Sequence, residues 1–561
     1  MLYNRFIMAD VRIAIGQINT TVGDIEGNCE KIISYIRKAM QEQADIISFP
    51  ELAITGYPPE DLLLKPKFIS DNMHALSALQ KEIRDIIAIV GFVDARKGLL
   101  YNSAAVLHNR KKIAILHKTL LPNYGVFDEK RYFASGDNTC VFRFQNMSFG
   151  VNICEDIWHD SGPAGRQAKA GAKLLININA SPYYHGKRLQ REMMVRKQCL
   201  KNRVSMCYTN LVGGQDELVF DGNSFIMDSR GKILRMAESF RENLLMCDMS
   251  LDECRHGRMI SIPHRSGDGK TPAAVRKHRK LTDEEEVYLA LVTGLRDYAV
   301  KNGFRKAVLG LSGGIDSSLV AAVAADSLGN DNVIGVFMPS RYTSEESRMD
   351  AAELAKNLGI GFLEIPMEKI FVSCLETLAP AFTGKDQDIT EENLQARIRG
   401  NIVMALSNKF GWLVLTTGNK SEISVGYATL YGDMAGGFAA LKDVYKTLVY
   451  KLAVFRNSLG SVIPAGVLTK PPTAELKPNQ KDQDTLPPYE ILDGILKEYI
   501  EKDRSYSQII SAGFKPETVK KVMGMVDRSE YKRRQAPPGV KITPKAFGRD
   551  RRIPITNRYA M

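Results

Sequence analysis

The sequence predicts an α/β protein made of two domains with different topologies. Short apolar runs alternate with longer segments of helical spacing along nearly the whole chain, a pattern typical of sheets flanked by helices. The chain has 561 residues, which is more than one hydrophobic core usually organises. A basic segment broken by Gly and Pro, residues 261–280, separates the two patterns, and we interpret it as a linker.

The first predicted domain spans residues 9–260. Its apolar runs are short and bounded by turn residues, which predicts strands for RIAIGQIN, DIISFPEL, IIAIVGFV, GVNICEDIW, LLININAS, SMCYTNLVGG and NSFIMDSRGKI. Two intervening segments have helical spacing and charged faces, NCEKIISYIRKAMQEQA and HGKRLQREMMVRKQCLKNR. The alternation indicates an α/β domain rather than a sandwich of strands alone.

The second predicted domain spans residues 281–561, including a basic C-terminal tail. Thr282 is a plausible N-cap, since acidic residues fill the turn after it and helical apolar spacing follows. Further apolar runs then alternate with helical stretches: KAVLGL, NVIGVFMP, FLEIPM and WLVLTT. The pattern predicts a doubly wound parallel sheet with crossover helices.

Composition excludes several classes of protein. Hydrophobic residues make up 44% and charged residues 25%, which argues against wholesale disorder. The N-terminus lacks a signal-peptide pattern and no apolar stretch reaches membrane-spanning length, so we expect a cytoplasmic protein without a membrane partner. The eight cysteines lack metal-type spacing. The net charge of +12 suits phosphorylated small substrates, and the absence of a nucleic-acid-binding motif argues against nucleic acid.

Three segments of the first domain each carry one reactive side chain. Glu51 lies in FPELAITGY, Lys118 in HKTLLPNYGVFDEKRYF, and Cys154 in GVNICEDIW. A thiolate is a nucleophile, a neighbouring ammonium lowers the pKa of a thiol, and a carboxylate can carry protons to and from it. A lone cysteine on a strand is more often a small buried residue, but the three segments together favour nucleophilic catalysis.

The three segments resemble, in order, the nitrilase family of carbon-nitrogen hydrolases. The resemblance implies an αββα sandwich in which Cys154 attacks an amide carbon, Glu51 is general base and then acid, and Lys118 helps to hold the oxyanion, with Glu129 as a supporting carboxylate. The glutamine-using members place substrate-binding residues at positions that match Tyr124, Ser181 and Lys187.

The most informative segment of the second domain is KAVLGLSGGIDSSLVAAVAA. An apolar strand runs through SGGIDS into an Ala-rich helix, so glycines let the backbone approach an anion at a helix N-terminus. The segment lacks the GK[ST] ending of a Walker loop and the spacing of GxGxxG. It resembles the pyrophosphate-binding loop of ATP pyrophosphatases, which implies ATP contacts at Gly310, Leu311, Ser312, Gly313, Gly314, Ile315, Asp316 and Ser317.

Five further segments resemble NAD synthetases in the same order: TEENLQARIRGN, LTTGNKSEISVGYATLYGD, KTLVYKL, KPPTAEL and SEYKRRQAPPG. The resemblance implies ATP contacts at Thr417, Lys446 and Thr473, and contacts to deamido-NAD at Asn393, Arg399, Glu422 and Lys532. It also implies Mg²⁺ as cofactor, with Asp316 and Glu422 as ligands, and ATP as co-substrate.

Taken over about Ala9 to Tyr559, the chain resembles the family of glutamine-dependent NAD synthetases. The resemblance implies glutamine hydrolysis at Cys154, transfer of ammonia through a tunnel, and amidation of adenylated deamido-NAD to NAD, with release of AMP, pyrophosphate and glutamate. It also implies a homo-oligomer, commonly an octamer. Two alternatives are an amidase fused to a different ATP pyrophosphatase, such as a nucleotide-amidating or tRNA-modifying enzyme, and a non-enzymatic scaffold.

Two features of the second domain complete the interpretation. No histidine follows His278 and Cys374 is its one cysteine, which leaves positioning, magnesium and cationic stabilisation as the catalytic means. The basic tail, Tyr531 to Met561, contains aromatic residues, so we expect it to be ordered and its arginines to approach substrate phosphates.

Overall fold

The computed structural model describes residues 9–137, 139–145, 147–251, 259–263, 279–473, 475–478 and 480–559. The chain forms two compact units. One consists of residues 1–215 and 219–280, and the other of residues 216–218 and 281–561. None of the helices in these described ranges is both long and apolar enough to cross a membrane.

The first unit contains two large sheets and four helices. Its strands are β1 Ala9–Gln17, β2 Ile46–Ser48, β3 Ile87–Arg96, β4 Leu99–His108, β5 Lys111–His117, β6 Val141–Phe144, β7 Met147–Ile153, β8 Leu174–Asn179, β9 Ser205–Asn210, β10 Val212–Gln215, β11 Leu218–Asp221, β12 Phe225–Met227, β13 Ile233–Met236, β14 Asn243–Leu251 and β15 Ile260–Ile262. Its helices are α1 Ile25–Gln41, α2 Pro66–Glu82, α3 Pro163–Lys169 and α4 Lys187–Asn202.

The two sheets pack face to face. One has the strand order β14-β1-β2-β3-β4-β5 and the other β13-β12-β9-β8-β7-β6-β15. Apolar side chains between them form one buried core, in which Ile13 and Val106 of the first sheet belong with Val151 and Ile176 of the second. Helices α1 and α2 cover the outer face of the first sheet, and α3 and α4 cover that of the second. The unit is the αββα sandwich that the sequence predicts.

The second unit is built on one five-stranded sheet. Its strands are β16 Ala307–Gly310, β17 Val333–Phe337, β18 Gly361–Glu364, β19 Leu413–Thr416 and β20 Phe438–Ala439. Its helices are α5 Asp283–Lys301, α6 Ile315–Leu328, α7 Glu345–Leu358, α8 Glu368–Leu378, α9 Ile389–Phe410, α10 Lys420–Val425, α11 Lys446–Ser458, α12 Ala465–Thr469, α13 Tyr489–Leu496, α14 Tyr506–Ser511, α15 Pro516–Arg528 and α16 Glu530–Arg533.

All strands of this second sheet run parallel, in the order β18-β17-β16-β19-β20. Thr282 caps α5 as predicted, since its hydroxyl accepts a hydrogen bond from the backbone N–H of Glu285 at 3.2 Å. Helices α5, α6 and α11 pack against one another, while Val403 of α9 packs against Val308 and Val414 of the sheet. The order places β16 in the centre, and parallel strands end at the same edge, where ligands of such sheets bind.

The predicted linker begins within a strand. Ile260–Ile262 pairs in parallel with Phe142–Phe144. Successive side chains of a strand point to opposite faces, so Ile262 enters the core while Ser261 faces outward. Residues 264–278 of the predicted linker lie outside the described residues.

Candidate active sites

The three reactive side chains of the first unit follow strand ends, where the chain leaves the sheets. Glu51 comes three residues after β2, Lys118 directly follows β5, and Cys154 directly follows β7. The side chains of Glu51 and Lys118 are fully buried. The Lys118 Nζ atom donates to Glu51 Oε1 at 2.6 Å and to Glu129 Oε1 at 2.8 Å. The fold therefore brings the carboxylates of Glu51 and Glu129 into contact with the same ammonium, that of Lys118.

Cys154 occupies a strained position at the start of a short 3₁₀ turn, 154–157. Its φ angle of +44° lies in the left-handed region, which non-glycine residues adopt rarely and usually at functional sites. The carboxylate of Asp156 fixes this turn, because it accepts the backbone N–H groups of Ile153, Thr119 and Leu120 at 2.9–3.1 Å. One carboxylate thus joins the segment after Lys118 to the turn that carries the cysteine.

Electrostatics in this site differ from the expectation of a ready-made thiolate. Burial and the carboxylate of Glu51 raise the pKa of the Cys154 thiol well above its usual value, and the ammonium of Lys118 only partly opposes them. Burial also disfavours the ammonium of Lys118, but Glu129 and Glu51 outweigh it and raise the pKa of Lys118. The resting cysteine is therefore a neutral thiol, and a base must take its proton during attack.

The predicted glutamine-binding residues lie on segments around this turn. The hydroxyl of Tyr124 donates to the carboxylate of Glu155 at 3.0 Å. The Lys187 Nζ atom lies 4.3 Å from the ring centroid of Trp158, and burial, followed by repulsion from Arg191, lowers the pKa of Lys187 to about 8. Sequence reasoning missed Glu155, although an acidic residue directly after the nucleophile was a usable signal.

Ser181 is held by an arginine that sequence reasoning also missed. Arg191 is fully buried, and its guanidinium donates to Ser181 Oγ at 3.1 Å and to the backbone oxygen of Ser181 at 2.8 Å. It also pairs with the buried carboxylate of Asp221 at 2.6 Å. An arginine side chain has only hydrogen-bond donors, so the guanidinium of Arg191 holds both acceptor oxygens of Ser181 in place.

The glycine-rich segment of the second unit forms a tight turn between β16 and α6. Gly313 has φ +73°, and a Cβ atom on it would lie 2.4 Å from the backbone oxygen of Ser347, so both space and conformation require glycine. The hydroxyl of Ser317 donates to the oxygen of Gly314 at 3.0 Å, and Ser312 Oγ accepts from the N–H of Gly314 at 3.2 Å. The turn therefore has a fixed shape at the N-terminus of a fourteen-residue helix.

The turn opens onto a cavity of about 1010 Å³ within the second unit. Every ATP-contacting and deamido-NAD-contacting residue predicted from the sequence lines this one cavity: Gly310, Leu311, Ser312, Gly313, Gly314, Ile315, Asp316, Ser317, Asn393, Arg399, Thr417, Glu422, Lys446, Thr473 and Lys532. The volume suits nucleotide-sized ligands, which exceed most drug-sized molecules. The assigned contacts themselves stay a prediction.

Charged groups in the cavity are paired with one another. The ammonium of Lys446 contacts the carboxylate of Asp316 and lies 3.0 Å from Glu422 Oε1. Asn419 links the same two acids, because its Nδ2 donates to Asp316 at 3.0 Å and its Oδ1 accepts the N–H of Glu422 at 3.0 Å. Tyr489 also donates to Glu422, at 3.2 Å. Sequence reasoning missed Asn419 and Tyr489, which stand outside the predicted contacts.

The two predicted magnesium ligands fit Mg²⁺ in part. Asp316 and Glu422 supply carboxylate oxygens, which Mg²⁺ prefers. Both carboxylates already form an ion pair with a cation, the ammonium of Lys446. Within the described part of the chain, no group of three or more His, Cys, Asp or Glu residues could enclose a metal. Mg²⁺ characteristically binds to one or two carboxylates and to substrate phosphates, so this donor set is the expected one.

Three arginines of the tail share one acidic partner. Arg533, Arg534 and Arg551 all pair with the carboxylate of Glu530, at 2.8, 3.0 and 3.3 Å. Arg533 also lies 4.9 Å from the ring centroid of the buried Phe547. The expected approach of the tail's arginines to substrate phosphates stays a prediction.

Comparisons with known proteins agree across both units. Residues 12–259 match the family model of carbon-nitrogen hydrolases, and residues 287–536 match that of NAD synthase. Two relatives named glutamine-dependent NAD(+) synthetase are 48% identical (Thermotoga maritima) and 47% identical (Aquifex aeolicus). Each alignment covers 98% of this chain, with 99% and 100% of the respective relatives.

Two solved structures extend the likeness to three dimensions. The glutamine-dependent NAD+ synthetase of Acinetobacter baumannii, solved in complex with ADP, is 42% identical with a TM-score of 0.77, over 98% of both chains. The synthetase of Cytophaga hutchinsonii, at 23% identity and TM-score 0.83, shares the fold over 98% of both chains. With full-length relatives near half identity and both family models matched in order, the chain belongs to the family of glutamine-dependent NAD(+) synthetases.

Proposed function

We propose that this protein forms NAD from deamido-NAD and ATP with the amide nitrogen of glutamine, releasing AMP, pyrophosphate and glutamate. Residues 9–260 act as the glutamine amidohydrolase and residues 281–561 as the ATP-dependent synthetase. The observation that supports the proposal best is the pairing of two chemistries. One unit holds Glu51 and Lys118 in contact beside Cys154, and the other has its predicted nucleotide-contacting residues around one cavity.

Hydrolysis begins with a neutral thiol and an ionised carboxylate. Glu51 takes the thiol proton as the Sγ atom of Cys154 bonds to the amide carbon of glutamine, and Lys118 stabilises the negative oxygen. The C–N bond then breaks as Glu51 returns the proton to the leaving nitrogen, which departs as ammonia. Glu51 next removes a proton from water, whose oxygen attacks the thioester, and the C–S bond breaks as Glu51 returns this proton to the sulfur, which gives glutamate and the thiol.

The amino acid end of glutamine is recognised by polar groups around the turn of Cys154. The ammonium of Lys187 pairs with the substrate carboxylate, and the hydroxyls of Tyr124 and Ser181 add hydrogen bonds. Glu155, which already accepts from Tyr124, is placed to attract the substrate's amino group. Recognition of both the carboxylate and the amino group at this end explains how a buried amidase site would favour glutamine over simple amides.

In the synthetase unit, the chain's residues bind and orient two phosphorylated substrates. The backbone N–H groups of the Ser312–Ser317 turn hold the pyrophosphate of ATP at the start of α6, and Lys446 neutralises phosphoryl oxygens. Asn393, Arg399 and Lys532 hold deamido-NAD, whose nicotinate carboxylate attacks the α-phosphorus while pyrophosphate leaves. Ammonia then displaces AMP from the adenylate. Mg²⁺ on Asp316 and Glu422 would supply charge neutralisation at the phosphates.

Ammonia must reach the adenylate unprotonated, because ammonium has no lone pair for attack. We therefore also propose protected transfer of ammonia between the two sites. Homo-oligomeric assembly, up to an octamer, and a cytoplasmic location are part of the same proposal. Light scattering of the purified protein after gel filtration measures the assembly directly.

The test of the proposal compares the wild type with Cys154→Ala, supplied with deamido-NAD, ATP and Mg²⁺ plus either glutamine or an ammonium salt. The variant should lose NAD formation from glutamine and keep NAD formation from ammonium, since only the nucleophile is removed. A wild type that forms no NAD from either nitrogen source would contradict the substrate assignment. A variant that still uses glutamine would contradict the role of Cys154.

A further inference from the structure

Two buried carboxylates of the amidase site share a single cation. Lys118 Nζ lies 2.6 Å from Glu51 Oε1 and 2.8 Å from Glu129 Oε1, and all three side chains are buried. One ammonium cannot neutralise two carboxylates, and two like charges this close favour retention of a proton on one of them. The chemistry of the site therefore depends on which carboxylate stays ionised.

The hydrogen-bond donors are unevenly divided between the two acids. Glu51 also accepts the side-chain N–H of Asn102 on Oε1, at 2.7 Å, and the backbone N–H of Ala180 on Oε2, at 2.9 Å. Among the residues that the structure describes, Glu129 accepts only the hydroxyl of Tyr57, at 3.0 Å, besides Lys118. Its buried Oε2 has no hydrogen-bond partner among the described residues. A bare carboxylate oxygen is where a proton is best accommodated, because only a protonated oxygen avoids the cost of burying an unsolvated charge.

Asn102 is itself held firmly in place. It lies within β4, fully buried, and its backbone oxygen accepts the N–H of Lys118 at 2.8 Å. The amide orientation follows from chemistry, because a reversed amide would turn its oxygen toward the Glu51 carboxylate. Its own Oδ1 atom has no partner in the described ranges. The side chain thus leaves one polar atom unsatisfied while it donates to Glu51.

We propose that Asn102 is a positioning residue that assigns the role of general base, by keeping Glu51 ionised and leaving the shared proton on Glu129. The inference deepens the proposed function, since it rests on Glu51 as the base of glutamine hydrolysis. Burial, only partly opposed by Lys118, raises the pKa of Glu129 to about 7, in agreement with this division. The other groups that face Glu51 are Cys154 and Tyr57. Neither titrates near neutral pH, because burial raises the pKa of both.

The test is the pH profile of glutamate release by the full-length protein, measured for the wild type, Asn102→Leu and Tyr57→Phe. Leucine has the same branched arrangement of heavy atoms as asparagine and no donor. Loss of one hydrogen bond to a charged acceptor should move the acid limb of kcat/KM upward by about one pH unit in Asn102→Leu. Below the midpoint of the acid limb, kcat should fall about tenfold, and KM for glutamine should change less than about twofold. Tyr57→Phe removes a donor from Glu129 instead, so its acid limb should not move upward.

Each outcome decides the inference. An unmoved acid limb in Asn102→Leu, or an equal upward shift in Tyr57→Phe, would overturn it even if kcat falls, since a merely structural amide affects rate without titration. Circular dichroism and thermal unfolding of the full-length protein report whether the first unit of a variant is folded, since NAD formation from ammonium reports only on the second unit. If Asn102→Leu is not folded by this criterion, Asn102→Ala is measured in its place. A wild type that releases no glutamate from glutamine would instead refute the proposed function.

Discussion

Raising the pH above 8 should weaken the use of glutamine, because the ammonium that binds the substrate carboxylate loses its proton there. Burial and the guanidinium of Arg191 lower the pKa of Lys187 to about 8. The charged form of Lys187 is the form that binds the substrate carboxylate. The affinity for glutamine is therefore highest below this pKa and is lost as the pH rises through it. Lys118 and Cys154 have pKa values well above their usual ones and do not lose protons in this range.

The size of the effect follows from the charged fraction of Lys187. With a pKa of about 8, roughly nine tenths of the side chain is charged at pH 7 and roughly one tenth at pH 9. If only the ammonium pairs with the carboxylate, kcat/KM for glutamine falls about tenfold between these two values. The basic limb of kcat/KM reports the free enzyme, so occupancy by substrate does not obscure it.

The assay is initial-rate glutamate release from pH 6.5 to 9.5, with Lys187→Arg as the matched control. Arginine stays charged throughout, so the basic limb of its kcat/KM should show only the titration of glutamine's own amino group. That titration affects both enzymes equally, and the additional fall in the wild type reports Lys187. Superimposable basic limbs for the wild type and Lys187→Arg would refute the assignment of Lys187 as the carboxylate's partner.

Three further predictions concern parts of the chain that hold the sites in shape. Gly313→Ala should lower ammonium-driven NAD formation about a hundredfold, because the added Cβ would displace the turn. Gly303→Ala, also at positive φ but facing open space, should retain this activity, and equal losses in the two variants would contradict the reasoning. Arg191→Met should cost about 3–5 kcal/mol in urea unfolding and raise KM for glutamine, because Asp221 is left buried without its partner; the double variant with Asp221→Asn should recover stability but not KM. Asp443→Ala should destabilise the second unit by about 3 kcal/mol, since it leaves the N–H groups of Ile542 and Thr543 without their acceptor and removes the nearer of two carboxylates from buried Lys420; an unchanged Tm would argue against this interpretation.

The parts of each site that follow strand ends were predictable from sequence. Glu51, Lys118 and Cys154 each stand just beyond an apolar run, and the Ser312–Ser317 turn lies between an apolar run and an Ala-rich helix. Local pattern marks such positions, because the end of a strand and the start of a helix have signals of their own. The doubly wound sheet, which the pattern predicted, and the αββα sandwich, which the family resemblance implied, are both confirmed.

Residues that act through partners distant in sequence were not predictable. Asn102 is one polar residue inside a strand, and its role comes from its hydrogen bond to Glu51, which lies 51 positions away in the sequence. Arg191 resembles any surface arginine of a basic helix until Asp221 is placed beside it. The pairing of three tail arginines with Glu530 was equally invisible, because their charge alone suggested contacts with phosphate. Charge is visible in a sequence, but the pairing of charges belongs to the fold.

The neutral thiol of resting Cys154 has a consequence for the life of the protein in an oxidising cell. Peroxides and electrophiles react with thiolates far faster than with thiols, and susceptibility follows thiolate character and access. Cys154 is buried, and its pKa is raised by that burial and by Glu51. The nucleophile is therefore activated only as glutamine is attacked, so an idle enzyme is shielded from sulfenic acid formation.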